Sequence, residues 1–426
     1  MLKTLQILPG VTLRHYREDR FKQGCMSIQF VCPMKREEAS LNALLPAVLL
    51  RGTAVHPDLR AITERLDDLY GASVSTMVRR VGDYQTVGLY AGFISDRYAL
   101  PGDRVLEPMV GFLREILLDP AVENGSFRQD YVNSEAKNLI STLESERNDK
   151  RAYCAAQMLK NMCKGDSYGI PRLGYKESVA AITAQSLYTH YQKILREYPV
   201  QVFYVGAADG ETVAELVKRI FTGLEREPFA LPEQTPFFDC GGSDGVEEME
   251  ITQGKLSMGF RLGEIMDDPD YAALYVLNAL YGGSVTSKLF MNVREKLSLC
   301  YYASSMCDVN KGVMFVYSGI EFDKYDAAYN EILAQLDAVK NGDFTEEELD
   351  SARQAVAAEL RTYMDSERDL EHYWLSRNLR GEECDPMEMS AMVEAVTRED
   401  ILNAAQGIVL DAVYFLKGDE DEEEEE

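Results

Sequence analysis

The stretch Gly283-Ser-Val-Thr-Ser-Lys-Leu-Phe-Met-Asn-Val-Arg-Glu-Lys-Leu-Ser-Leu-Cys-Tyr-Tyr302 decides how the whole chain is read. It begins behind a glycine turn, Gly282-Gly283, runs through a helical segment and enters a strand, placing Arg294 seven residues before Tyr301. Taken alone, Arg-Glu-Lys in a helix is a solvated face with local ion pairs, and Tyr301-Tyr302 at the start of a strand is packing. An arginine and a phenol can also donate hydrogen bonds to a carbonyl as it becomes an oxyanion. Tyr302 competes with Tyr301 for the phenol's place.

Composition narrows the classes open to the chain. Its 426 residues, 46% of them apolar, can bury substantial cores in two or three domains. A formal charge of −27 excludes nucleic acid and anionic membrane as partners, because phosphate binding needs a basic footprint. The eight cysteines form no Cys-x-x-Cys and sit mostly in apolar surroundings, as reduced core residues do. The N-terminal apolar stretch is short and broken at Pro9-Gly10, and no run approaches 18 uninterrupted apolar residues, so neither a signal peptide nor a membrane span is expected. Together these features predict a cytoplasmic protein.

Internal repetition organises the sequence. Gln23-Gly-x-x-Ser27-x-x-Phe30 recurs as Gln253-Gly-x-x-Ser257-x-x-Phe260, a shift of 230 residues. Gly92-x-x-x-Asp96-Arg-Tyr98 recurs as Gly319-x-x-x-Asp323-Lys-Tyr325 at a shift of 227, and Asn124-Gly-x-Phe127 as Asn341-Gly-x-Phe344 at 217. Three echoes in one order at similar shifts mean a duplicated domain. In the first half, patterning predicts strands over 27–32, 73–80 and 86–93 and helices over 37–50, 61–69, 105–118 and 127–160. Interleaving of that kind gives an α+β sandwich with helices on one side of a mixed sheet. Prolines 228, 232 and 236 and the Gly241-Gly242 pair put the boundary at 226–245, and the wholly acidic 419–426 is expected to be a disordered tail.

The 282–301 segment resembles the arginine/tyrosine segment of the M16 (insulinase-like, pitrilysin-type) zinc peptidases, and Arg51-Gly52-Thr53 is similar to the turn that ends that family's zinc-binding helix. The resemblance covers residues 23–416. It implies two duplicated α/β-sandwich halves, each a mixed, largely antiparallel sheet with helices packed on one side, meeting as a clamshell that holds peptides extended, as an added strand on a sheet edge. The domains would be 1–225, with a degenerate zinc site; a linker, 226–245; 246–418, with the arginine/tyrosine segment; and the tail. Arg294 and Tyr301 would be catalytic and Gly282 and Gly283 substrate-binding. Ser298 and Cys300 stand where the family commonly has glycine and alanine.

The zinc motif itself, H-x-x-E-H, is missing. Counting back from Arg51-Gly52-Thr53 puts Ala43 and Ala47 in its histidine places and Pro46 in its glutamate place, and with Glu135 in the earlier acidic place the third ligand falls on Thr142. None of these four can bind zinc as the family's ligands do, nor move a proton. His15, His56, His190 and His372 are not spaced to share a helix face, which excludes a displaced motif. The stretch 43–50 instead reads as a buried core helix kinked at Pro46. The resemblance therefore implies no metal in this chain and a non-catalytic subunit of a heterodimeric peptidase, inactive alone, whose zinc comes from a paralogous partner. The alternative is a non-enzymatic peptide-binding or scaffold protein.

Overall fold

The computed structural model describes residues 2–234, 241–263 and 268–418. The expected tail, part of the expected linker (235–240) and Cys240 lie outside the described residues.

Leu2–Leu8 (β1) and Val11–Arg17 (β2) form a hairpin around Pro9-Gly10, with Gly10 in the left-handed region at φ 67°. Proline followed by a positive-φ glycine is the chemistry of a type II turn, so the break in the N-terminal apolar stretch is a hairpin corner. The chain continues through Gln23–Pro33 (β3), Arg36–Leu49 (α1), Leu59–Asp68 (α2), Ser73–Val81 (β4), Tyr84–Ile94 (β5) and Leu106–Leu118 (α3). A short hairpin, Val122–Glu123 (β6) with Ser126–Phe127 (β7), leads into Gln129–Ser145 (α4). The single helix expected over 127–160 is two. Lys150–Met162 (α5) starts afresh where the Asp149 carboxylate accepts from the amides of Arg151 and Ala152, a helix start set within the polar run 144–151, where apolar periodicity lapses. Lys176–Ala180 (α6), Ala184–Glu197 (α7), Val200–Gly206 (β8) and Gly210–Phe221 (α8) complete the first half.

The first sheet has the order β1-β2-β8-β3-β5-β4, antiparallel throughout except between β2 and β8. Met26, Ile28 and Phe30 of β3 share one core with Leu89 and Ala91 of β5, Val202 of β8, Leu44 and Val48 of α1, Leu113 of α3, Leu187 of α7 and Val217 of α8. Each such side chain contributes roughly 1.5–3 kcal/mol by leaving water, so this face carries most of the first sheet's cohesion.

In the second half, Gly245–Glu248 (β9), Gly254–Arg261 (β10) and Asp268–Asn278 (α9) are followed by π-helical segments Ala279–Gly283 and Leu289–Lys296. Then come Cys300–Asp308 (β11), Val313–Ile320 (β12), Tyr325–Lys340 (α10), Glu346–Thr362 (α11), Glu367–Asn378 (α12), Pro386–Ala395 (α13), Arg398–Gln406 (α14) and Val409–Lys417 (β13). The sheet order is β11-β12-β10-β13-β9, with only β13 and β9 parallel. The repeats fall on equivalent elements. Ser27 and Ser257 lie in β3 and β10, Gly92 and Gly319 in β5 and β12, and the Asn-Gly turns at 124 and 341 precede α4 and α11. By the same correspondence α5 matches α12.

The compact units are not the two halves of the sequence. One comprises Met1–Glu144, Ile170–Glu233 and Ser366–Leu379; the other comprises Ser145–Gly169, Gln234–Asp365 and Arg380–Glu426. The matched helices are thus exchanged. α12 packs on β3 and β8 of the first unit, where the fully buried Glu371 accepts from Ser27 Oγ at 2.7 Å and Arg79 Nη1 at 2.8 Å. α5 packs on β10 and β13 of the second, where Met158 and Met162 lie against Gly259 so closely that a Cβ there would come within 2.6 Å of both sulfurs. Each sheet therefore has its own helices on one face, as expected, and a single helix from the other half of the sequence on the opposite face. That is why β3 is buried along nearly its whole length.

Cys25, Cys32, Cys154 and Cys163 are buried free thiols, Cys384 is buried as well, and Cys300 and Cys307 are half-buried. No described helix is long and apolar enough to cross a membrane.

A directed polar chain crosses the first core beside α1. Gln85 Nε2 donates to the carbonyls of Ala39 (3.1 Å) and Arg172 (2.7 Å), so its Oε1 accepts from Asn42 Nδ2 at 2.8 Å, leaving Asn42 Oδ1 to accept from His190 Nε2 at 2.7 Å. Burial pushes the His190 pKa from 6.5 down to about 4. The unfolded chain therefore binds the proton first as pH falls, and stability is lost from about pH 6.5 toward 4, by on the order of 3 kcal/mol from this group. Urea denaturation at pH 7 and pH 4.5 is expected to show a smaller loss of stability across this interval for His190→Gln than for the wild type.

Candidate functional site

Two hollows, one in each unit, contain most of the residues singled out in the sequence. The first lies beside α1 in the first unit and has a volume of about 410 Å³. Ala43 and Ala47 of α1 and Glu135 and Thr142 of α4 all line it, so positions inferred by counting along the chain are brought together in space. Pro46 is buried within α1 and is not part of the lining. The turn after α1 is built as the Arg-Gly-Thr pattern requires. A Cβ on Gly52 would sit 2.3 Å from the carbonyl oxygen of Pro57, and Thr53 Oγ1 accepts from the amides of Val55 (3.2 Å) and His56 (2.7 Å). Arg51 reaches α4, pairing with Glu135 at 3.2 Å with its guanidinium over the Tyr131 ring.

The residues present do not fit a zinc ion. Ala43 and Ala47 have no donor atoms, and the Thr142 hydroxyl donates to the carbonyl of Asn138 at 3.1 Å. The one carboxylate in the lining, Glu135, is held by Arg51. Three guanidinium groups, Arg79, Arg172 and Arg368, line the same space and would repel a cation. No cluster of His, Cys, Asp and Glu suited to a metal occurs among the described residues. The sequence reading missed these arginines, which come from three distant segments and follow no local pattern.

The second hollow, about 460 Å³, lies in the second unit and is lined by Arg294, Glu295, Ser298, Leu299, Cys300, Tyr301, Glu321 and Lys324. Arg294 lies in the last turn of a π-helical segment, with its guanidinium 4.6 Å from the Phe290 ring centre and 3.6 Å from Glu295. Tyr301 is the extra residue of a β-bulge: Cys300 pairs with Ile320 and Tyr302 with Gly319, leaving Tyr301 unmatched on the edge strand β11. A bulge of this kind re-aims a side chain, and both it and the π-helix recur at functional sites. Tyr301 is 60% exposed, and its hydroxyl lies 3.5 Å from Glu321 Oε1. The Lys324 ammonium, 2.6 Å away, holds the Glu321 carboxyl below its ordinary pKa. Tyr302 packs the other way, beneath the Arg151 guanidinium of α5 at 4.7 Å and against Gly319.

Gly282 and Gly283 lie outside this lining. A Cβ on Gly282 would come within 2.8 Å of Ser305 on β11, and one on Gly283 within 2.5 Å of Asn278 Nδ2, so both glycines let the helix close onto the strand. Ser298 links helix to strand at φ 50°, in the left-handed region, with the Leu299 amide bonded back to the Val293 carbonyl. This is the physical reason for a glycine at this place.

The architecture and the vacated ligand positions define a peptidase-type fold without its metal chemistry, and comparison with known proteins places the chain. The family model described as Peptidase M16 inactive domain matches residues 181–356. A Bacillus subtilis protein described as a probable inactive metalloprotease, YmfF, is 32% identical over 96% of this chain and 96% of its own length. The crystal structure of a conserved protein from Enterococcus faecalis superposes with a TM-score of 0.90 at 28% identity, covering 98% of this chain and 99% of that one. An uncharacterized zinc protease of Rickettsia felis is 21% identical over 87% of this chain and 85% of its own. The chain belongs to the M16 peptidase family, as a member of its inactive kind.

Two measurements check the site as built. Metal analysis of untagged protein after dialysis against a weak chelator is expected to find no stoichiometric zinc, and one zinc per chain would overturn the placement of Ala43, Ala47 and Thr142. Ser298→Gly is expected to raise stability by roughly 0.5–1 kcal/mol in denaturant titrations, relieving left-handed strain that exceeds the added freedom of the unfolded chain.

Proposed function

We propose that this chain is the non-catalytic subunit of a heterodimeric metallopeptidase, holding an extended peptide and presenting Arg294 and Tyr301 to the active site of a zinc-bearing paralogous partner. The observation that carries this reading is the contrast between the two hollows. The place of the zinc ligands has lost every one, yet the arginine and the phenol still line one open hollow, the phenol carried there by a β-bulge. A metal-free chain has no use of its own for two oxyanion donors. With zinc polarising a scissile carbonyl from one side, donors from this chain would meet the developing oxyanion from the other.

Edge strands are the natural place for an added peptide strand, and β4, whose residues Thr76–Arg79 line the first hollow, is one. The cytoplasm is the compartment in which unpaired buried thiols such as Cys25 and Cys154 are at home.

The test is peptide cleavage by a complex reconstituted with a similar-length paralogue carrying H-x-x-E-H. Arg294→Ala and Tyr301→Phe are each expected to lower turnover by about 10²–10³ with little effect on assembly or melting temperature, the usual cost of losing one oxyanion donor. Tyr302→Phe, whose ring packs under Arg151, is expected to change little. Undiminished cleavage with both Arg294 and Tyr301 replaced would leave a peptide-binding scaffold as the function.

A further inference from the structure

The hollow at the vacated zinc position has acquired a charge of the opposite kind. Of its four ionisable lining residues, two are already neutralised within the fold: Arg79 by Glu371 at 2.8 Å, and Glu135 by Arg51 at 3.2 Å; the rest of the lining besides Arg172 and Arg368 is uncharged. Arg172 and Arg368 are different. Arg172 donates one Nη1 hydrogen bond to the Val78 carbonyl at 2.9 Å, and Arg368 lies over the Tyr90 ring at 5.5 Å. Among the described residues neither makes an ion pair, in a chain where acidic residues outnumber basic ones 71 to 44. Both side chains are exposed, and together they bring two guanidinium groups without a carboxylate partner to one hollow.

Arg172 is also held in place. Its carbonyl accepts from Gln85 Nε2 at 2.7 Å, and Gln85 is fixed by Asn42, the neighbour of Ala43. The polar chain that ends on His190 thus sets the backbone of Arg172 against the helix that would carry the family's metal ligands. Arg368 stands on the first turn of α12, with its guanidinium supported by an aromatic face. A guanidinium presents a planar fork of donors that matches a carboxylate, and a partly preordered fork loses little freedom on binding.

We propose that this hollow is a carboxylate-binding site, in which Arg172 and Arg368 bind an acidic group of the peptide held beside β4. The proposal rests on the peptide-holding reading above and adds to it a preference for acidic peptides. The acidic group is a side-chain carboxylate or a C-terminal one, and both offer the same two oxygens.

The test is calorimetric titration of the full chain at low salt with three peptides of equal length. One has blocked ends and a central glutamate, one has glutamine in its place, and one has no acidic residue but a free C-terminal carboxylate. A carboxylate peptide is expected to bind at least about tenfold more tightly than the blocked glutamine peptide, with the preference shrinking as salt rises. Which of the two binds identifies the source of the carboxylate. R172Q and R368Q are each expected to abolish the preference while melting temperature stays unchanged. R368K, which keeps the charge and loses the fork, is expected to retain only part of it and serves if R368Q is unstable. Equal binding of the glutamine peptide, a preference that survives R172Q and R368Q, or no binding of any peptide would overturn the site. Equal binding of all three leaves the peptide-holding reading standing, and undiminished cleavage by Arg294 and Tyr301 variants leaves this site standing, so the two failures are distinguishable.

Discussion

The interaction on which the rest of the structure depends is the reciprocal exchange of α5 and α12. Each sheet buries one face with helices from its own half of the sequence and is sealed on the other by the matching helix of the opposite half. The seals are specific. In the first unit a fully buried carboxylate, Glu371, is satisfied by Ser27 and Arg79. In the second, Arg261, buried and paired with Asp411 at 2.7 Å, donates to the carbonyl of Met162 at 2.8 Å, and Gly259 lets the methionines of α5 approach. Breaking a buried pair costs on the order of 3–5 kcal/mol, a large fraction of a domain's stability, so the exchanged helices are integral parts of the units they cover.

Against that frame the loss of metal chemistry is local. Replacing ligands by Ala43 and Ala47 leaves a small-residue face on α1, and a core helix tolerates that easily. The turn at Gly52, the Arg51 contact to α4 and the polar chain through Asn42 are all intact. A site that coordinates a dication and one lined by guanidinium groups can occupy the same scaffold, because the scaffold is held by the sheet and its helices and not by the metal. The second hollow depends on a different device, the combination of a π-helical turn, a left-handed Ser298 and a bulge at Tyr301, and none of these involves the first hollow.

Much of this was legible in the sequence, where the information is local or repeated. The Gln-Gly-x-x-Ser echo identified β3 and β10, and the Asn-Gly echo located the starts of α4 and α11. The Arg51-Gly52-Thr53 turn located Ala43 and Ala47 well enough that the structure brings them beside Thr142. The break between α4 and α5 falls in the wholly polar run 144–151, where apolar periodicity lapses, and it was hidden because strong helix formers stand on both sides and only Asp149 marks the new start. Which sheet a helix covers is a tertiary choice with no periodicity of its own, so the exchange was invisible. The bulge at Tyr301 depends on register with β12, and Arg172 and Arg368 are neighbours of one hollow only after the chain has folded.

The exchange also orders events during synthesis. Ser27 and its partner Glu371 are separated by 344 residues, so the first sheet leaves the ribosome long before the helix that seals it. Through most of translation the face of β3 and β8 under α12 lacks its cover, and the nascent chain carries an unfinished unit while α5, already made, waits for β10 and β13. Contacts this distant in sequence close slowly, because the intervening chain must first be gathered in. A nascent chain of this design therefore has a long interval in which one sheet face is open to other chains, and completion of the first unit is one of the last steps of folding, not one of the first.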